Sequence, residues 1–204
     1  MGPDINTTNW IQRAGVALPN SVSPRIITGL NNGAYTFNPG LDFQNLGAGD
    51  TQTVTFTFKA TDNLGVPSLV KTVTVTVNGI NDVPEGADAS FATDQDNTVS
   101  GTLTATDVDT GDTIVGFAIV TQPILGNVSL TPGTRQFTFD PEGDFDNIGQ
   151  GNQTQVFFTY TATDNENGTS APKTITVTVN GLNDAPTANA GTLSAKATGT
   201  TPGT

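Results

Sequence analysis

"KTVTVTVNGINDVP", residues 71–84, decides how the whole chain reads, because a strict two-residue alternation ends there in an abrupt stop. Val73, Val75 and Val77 fall on one face and Thr72, Thr74 and Thr76 on the other, the period of a strand with one buried side. Asn78-Gly79 interrupts the run with turn chemistry, and Pro84, with its fixed φ and missing N–H, opens a new segment. The same wording returns as "KTITVTVNGLNDAP" at residues 173–186, 102 positions later. A repeat of that length means that one fold is written twice.

Working outward, the register holds without a gap. "YTFNPGLDFQNLGAG" (35–49) meets "FTFDPEGDFDNIGQG" (137–151), and "VTFTFKATDN" (54–63) meets "VFFTYTATDN" (156–165). Val54, Phe56 and Phe58 alternate with Thr55, Thr57 and Lys59, and Val156, Phe158 and Tyr160 repeat the pattern. A unit of about 100 residues suits one β-sandwich. The expectation is therefore an all-β chain of two tandem antiparallel sandwiches: residues 1–82, incomplete at the N-terminal side, and residues 83–184, followed by a tail at 185–204.

Composition narrows the function. The 204 residues carry no cysteine, no histidine, 23 glycines, 12 prolines and a formal charge of −12. No Lys/Arg cluster exists to neutralise phosphates, which argues against nucleic acid, and no stretch approaches the length of a membrane span. Without cysteine or histidine there is no thiolate nucleophile and no imidazole base. Carboxylates are present, but no G-x-S-x-G turn accompanies them and a sandwich of this size rarely provides a cleft between two acids by itself, so no enzyme is expected.

The order "ATDN … KT-x-TVTVNG-x-ND-x-P" resembles the cadherin-like repeats, VCBS-type included, of large bacterial surface adhesins. The resemblance implies Ig- or cadherin-like sandwiches, an extracellular place at the cell surface, a role in adhesion, and calcium held where one repeat meets the next. As ligands it implies Asn81 and Asp82 from the linker, Asp42 from the base of the first repeat, and Asp107, Asp109 and Asp164 from the top of the second. Gln44 stands where the second acid of the base pair is expected. The second repeat has both acids, Asp144 and Asp146, beside Asn183 and Asp184, to which Asp4, Asn6 and Asp62 of another copy would add. Such a set suits a cation that takes about six to eight oxygens, since "DVDTGD" (107–112) projects alternate carboxylates to one side while Gly111 permits the bend. Every one of these aspartates is also an ordinary turn former, so calcium and plain turn chemistry both stay open.

After Pro186, "TANAGTLSAKATGTTPGT" aligns with residues 85–102, the opening of a repeat, and the first repeat lacks that opening. One expectation is a head-to-tail homo-oligomer, a filament in which residues 187–204 of one chain add as a strand to the next, with Leu193, Ala195 and Ala197 turned inward. The competing expectation is an excerpt of a longer array, a carbohydrate- or partner-binding module of a giant adhesin with a glycan or cell-surface target.

Overall fold

The computed structural model describes residues 11–13, 26–29 and 35–194, the first two stretches through their backbone alone. The described residues form strands and no helix. Before the 78–84 joint come β1 (Ile11–Arg13), β2 (Ile26–Gly29), β3 (Tyr35–Asn38), β4 (Thr51–Lys59) and β5 (Lys71–Asn78). After it come β6 (Glu85–Gly86), β7 (Ala89–Asp94), β8 (Val99–Thr102), β9 (Ala105–Thr106), β10 (Ile114–Thr121), β11 (Asn127–Leu130), β12 (Gln136–Asp140), β13 (Gln153–Asp164) and β14 (Lys173–Asn180).

Among the described residues no ladder crosses the joint. The earlier strands pair as β1-β4-β5 and β2-β3, the later ones as β10-β13-β14-β7, β11-β12-β8 and β6-β9. The alternation quoted above explains why. In β13 and β14 the partners Val156↔Val177 and Phe158↔Ile175 point inward and are buried, while Phe157 and Thr176 between them lie on the opposite face. Across the sandwich they meet Leu103, Phe137, Phe139 and Phe145. Phe137 packs edge-on against both Phe91 and Phe158, with ring centres 5.0 Å away in each case. Tyr160 buries its ring in the same core and satisfies its hydroxyl on the entering segment, accepting from the Ala87 N–H at 3.0 Å and lying 2.7 and 2.8 Å from the Ala87 and Thr104 carbonyls.

One pairing departs from the antiparallel expectation. β7 runs parallel to β14, from Ile175↔Ala89 to Asn180↔Asp94. The chain enters this unit at one end and leaves at the other, so its first long strand and its last both point from entry to exit. Side by side, they can only be parallel. The entry end is also where β13 stops at Asp164, where β14 starts at Lys173, and where the turn between β9 and β10 lies.

Candidate metal centre

The joint begins with a close approach. Gly79 donates its N–H to the Asp50 carbonyl at 2.8 Å, and a Cβ there would collide with the carbonyls of Leu46 and Gly47. Gly181 repeats this arrangement, bonding the Asn152 carbonyl at 2.9 Å and leaving no room beside Ile148. The glycine of Asn-Gly therefore lets the outgoing chain press against the base of its own unit.

Four segments then converge. Asn81 donates through Nδ2 to Asp164 Oδ2 at 3.0 Å, and the Asp82 N–H donates to Asp109 Oδ2 at 2.7 Å. Thr110 donates its N–H to the Asn45 carbonyl at 3.0 Å and receives the Asn45 side-chain amide on its hydroxyl at 3.2 Å. In the 107–112 turn, the Asp109 N–H folds back on Asp107 Oδ1 at 3.0 Å and Gly111 takes a φ of +97°. In the loop after β13, Asp164 Oδ1 collects the N–H groups of Glu166 and Gly168, both at 2.8 Å. A Cβ on Gly168 would strike Asp164 Oδ2 and the Asn81 amide, so only glycine admits the linker here.

The result is a knot of oxygen. Carboxylate oxygens of Asp107, Asp112 and Asp164 lie within 4.8 Å of one another, and so do those of Asp109, Asp112 and Glu166. Burial pushes the Asp109 carboxyl up, and the charges of Asp82, Asp107 and Asp112 push it further than the Asp82 N–H can offset. Glu166 is raised by its contact with the Asp112 carboxyl, then by burial and by the charges of Asp112, Asp164 and Asp109. For Asp164 burial acts upward, but the hydrogen bonds from Asn81, Gly168 and Glu166 outweigh it and hold the carboxyl below its usual range. Among the described residues four buried side-chain oxygens have no donor: Asn81 Oδ1, Asp107 Oδ2, Asp109 Oδ1 and Asp112 Oδ2. Each such acceptor is costly when dry and unpaired. All four are oxygens of one small region, with neither nitrogen nor sulfur ligands, the donor set of a hard cation such as calcium.

The structure thus gathers Asn81, Asp82, Asp107, Asp109 and Asp164 from among the residues named by sequence. It also adds Asp112, Glu166 and Gly168, which sequence reading missed. Asp112 and Glu166 were visible only as acids two or three residues from a named one. Asp42 lies in the turn after β3, its N–H on the Pro39 carbonyl at 3.3 Å, outside both acidic clusters. Asp144 Oδ2 takes the Gly126 N–H at 2.7 Å, and Asp146 sits in the same turn, its N–H 3.4 Å from the Gly143 carbonyl. At the far linker both Asp184 oxygens receive the amide of the buried Gln95 at 3.2 Å, and Asn183 is exposed. Asp62 is exposed and holds the N–H groups of Leu64 and Val66 at 2.9 and 2.8 Å. Asp4 and Asn6 lie outside the described residues.

Residues 81–181 match the family model described as bacterial cadherin-like domain. Among solved structures the chain is similar to Drosophila N-cadherin EC1-4 at 16% identity, covering 89% of this chain and 44% of that one, with a TM-score of 0.46. It is similar to domains 4 and 5 of the S-layer protein SbsC at 16% identity, with coverage of 89% and 74% and a TM-score of 0.28. Mouse clustered PcdhgC3 EC1-3 follows at 12% identity, coverage of 85% and 55%, and a TM-score of 0.38. The chain spans about half the length of the two cadherin structures. No curated protein gives a significant match.

Proposed function

We propose that this chain, whose residues 81–181 are a bacterial cadherin-like domain, is a non-enzymatic module of an extracellular surface fibre or adhesin, stiffened by calcium at the 78–84 joint. The observation that carries the reading is the group of four buried, donorless oxygens on Asn81, Asp107, Asp109 and Asp112. Calcium would supply the positive charge that these oxygens and their neighbouring carboxylates lack. The chain's own contribution is placement. Asn81 and Asp82 come from the linker, Asp107, Asp109 and Asp112 from one turn, and Asp164 and Glu166 from another, so bending the joint pulls ligands of different segments apart. No described helix is long and apolar enough to cross a membrane. In the fibre, copies join head to tail through residues 187–204.

Thermal melts test the cation. Calcium at about a hundredfold excess over its Kd should add roughly 2.7 kcal/mol to the stability of the unit that holds it, a rise of several degrees that chelator reverses. Superimposable curves with calcium and with chelator would leave the acidic cluster as turn chemistry and sink the proposal.

A further inference from the structure

The two copies of the Thr-Val strand differ in what lies beside them. β14 is flanked by β13 on one edge and β7 on the other, whereas β5 has β4 on one edge and, among the described residues, nothing on the other. The cores differ in the same place. Ile175, Val177 and Val179 are buried, while Val73, Val75 and Val77 are only half-buried. In the second repeat Phe91, delivered by β7, completes a row of rings with Phe137 and Phe158. In the first, Tyr35 and Phe56 form the matching pair at 5.3 Å with no described third member. Phe137 is 0% exposed; Tyr35 is 50% exposed.

A counterpart of β7 is written at the other end of the chain. "GTLSAK" (191–196) occupies the repeat positions of "ASFATD" (89–94), which puts Leu193 at the place of Phe91. Leu193 is 100% exposed, and residues 181–194 form no strand.

We infer that residues 191–196 of a second copy add to the free edge of β5 as a parallel strand, in the register that β7 keeps with β14. Val73 then faces Gly191, Val75 faces Leu193, Val77 faces Ala195 and Asn78 faces Lys196. Leu193 closes over Tyr35, while Thr192 and Ser194 face solvent. Main-chain hydrogen bonds supply most of the attraction and Leu193 the register. The occupant is another copy rather than the chain's own tail. From the end of β14 back along β14 and β5 to Val73 is roughly 45 Å at strand rise, and the ten residues 181–190 span at most about 35 Å. A head-to-tail contact of this kind does not close, so it makes filaments.

The inference rests on the head-to-tail reading above but not on the cation. Val66 stands where the second repeat has Gly168, and a side chain there takes the space of the linker amide, so Asn183 cannot repeat the contact that Asn81 makes. The joint between copies is carried by the strand.

Because the chain has no cysteine, engineered pairs report cleanly. Thr76→Cys with Ser194→Cys should give a covalent ladder of multimers on a non-reducing gel, and the off-register pair Thr72→Cys with Ser194→Cys should not. Leu193→Asp, a change on an exposed residue, should turn filaments seen by electron microscopy and light scattering into monomers that melt like the parent monomer. Chelator should leave wild-type filaments intact, even where it abolishes the calcium shift in melting. A wild-type chain that stays monomeric, equal ladders from both cysteine pairs, or filaments that survive Leu193→Asp would overturn the inference. Filaments lost on chelation would overturn the claim that the strand alone carries the joint.

Discussion

Two loops of the molecule share a backbone and differ in use. In the first repeat Asp62 donates its N–H to Val66 O at 3.1 Å and accepts from Leu64 and Val66; in the second Asp164 bonds Gly168 O at 3.0 Å and accepts from Glu166 and Gly168. Behind each loop a serine hydroxyl, Ser68 or Ser170, receives the N–H of Ala60 or Ala162. Yet Leu64 is 84% exposed where its counterpart Glu166 joins an acidic cluster, and Asp62 is exposed where Asp164 is buried. The aspartate of "ATDN" is therefore first a device for folding a loop. Whether it also serves a cation depends on the residues two and four places on and on what docks above them.

Removing the aspartates separates the two jobs. Asp164→Ala strips partners from two loop N–H groups and from the Asn81 amide in a buried place, and should cost at least about 3 kcal/mol, at roughly 1–3 for each group left unsatisfied. Asp62→Ala leaves its donors open to water and should cost about 1 kcal/mol. Urea melts of the two variants check the ratio; equal losses would mean that the loops are equivalent after all. A smaller effect lies at the fourth position. Gly168→Ala should lose about 1–3 kcal/mol through the collision with Asp164 and Asn81, together with the calcium response, whereas Val66→Gly should lose only about 0.5–1 kcal/mol, through backbone entropy. The smallest change is expected from Asp112→Asn in chelator. It removes the charge that both clusters share, with Asp107 and Asp164 on one side and Asp109 and Glu166 on the other, and should leave stability within about 1 kcal/mol of the parent, while the calcium increment disappears.

The strands could be read from the alternation because period two has one structural meaning, and the Val-Thr runs of β5 and β14 and the Val-Phe runs of β4 and β13 stand where that pattern puts them. The parallel partner of β14 could not. "ASFATD" carries no sign of which strand it will lie beside, which depends on where the chain enters the unit. The acidic cluster was legible to the extent that its carboxylates sit at fixed offsets in a turn: Asp107 and Asp109 alternate along the chain. Asp112 joins them only because Gly111 turns left-handed, and Glu166 only because Asp164 folds its loop back by two hydrogen bonds. The same letters elsewhere had other employment, since Asp144 is engaged by Gly126 and Asp184 by Gln95, a buried amide that no local pattern marks.

The side-by-side course of β7 and β14 has a mechanical meaning. Tension applied between the two ends of the second repeat draws these strands in opposite directions along their shared axis. The ladder from Ile175↔Ala89 to Asn180↔Asp94 is then loaded in shear, its hydrogen bonds straining together rather than opening one after another as in a hairpin peeled from its ends. Tyr160, bonded to Ala87 just ahead of β7, fastens the segment through which that force enters. The second repeat therefore resists stretching along its own length through this one ladder.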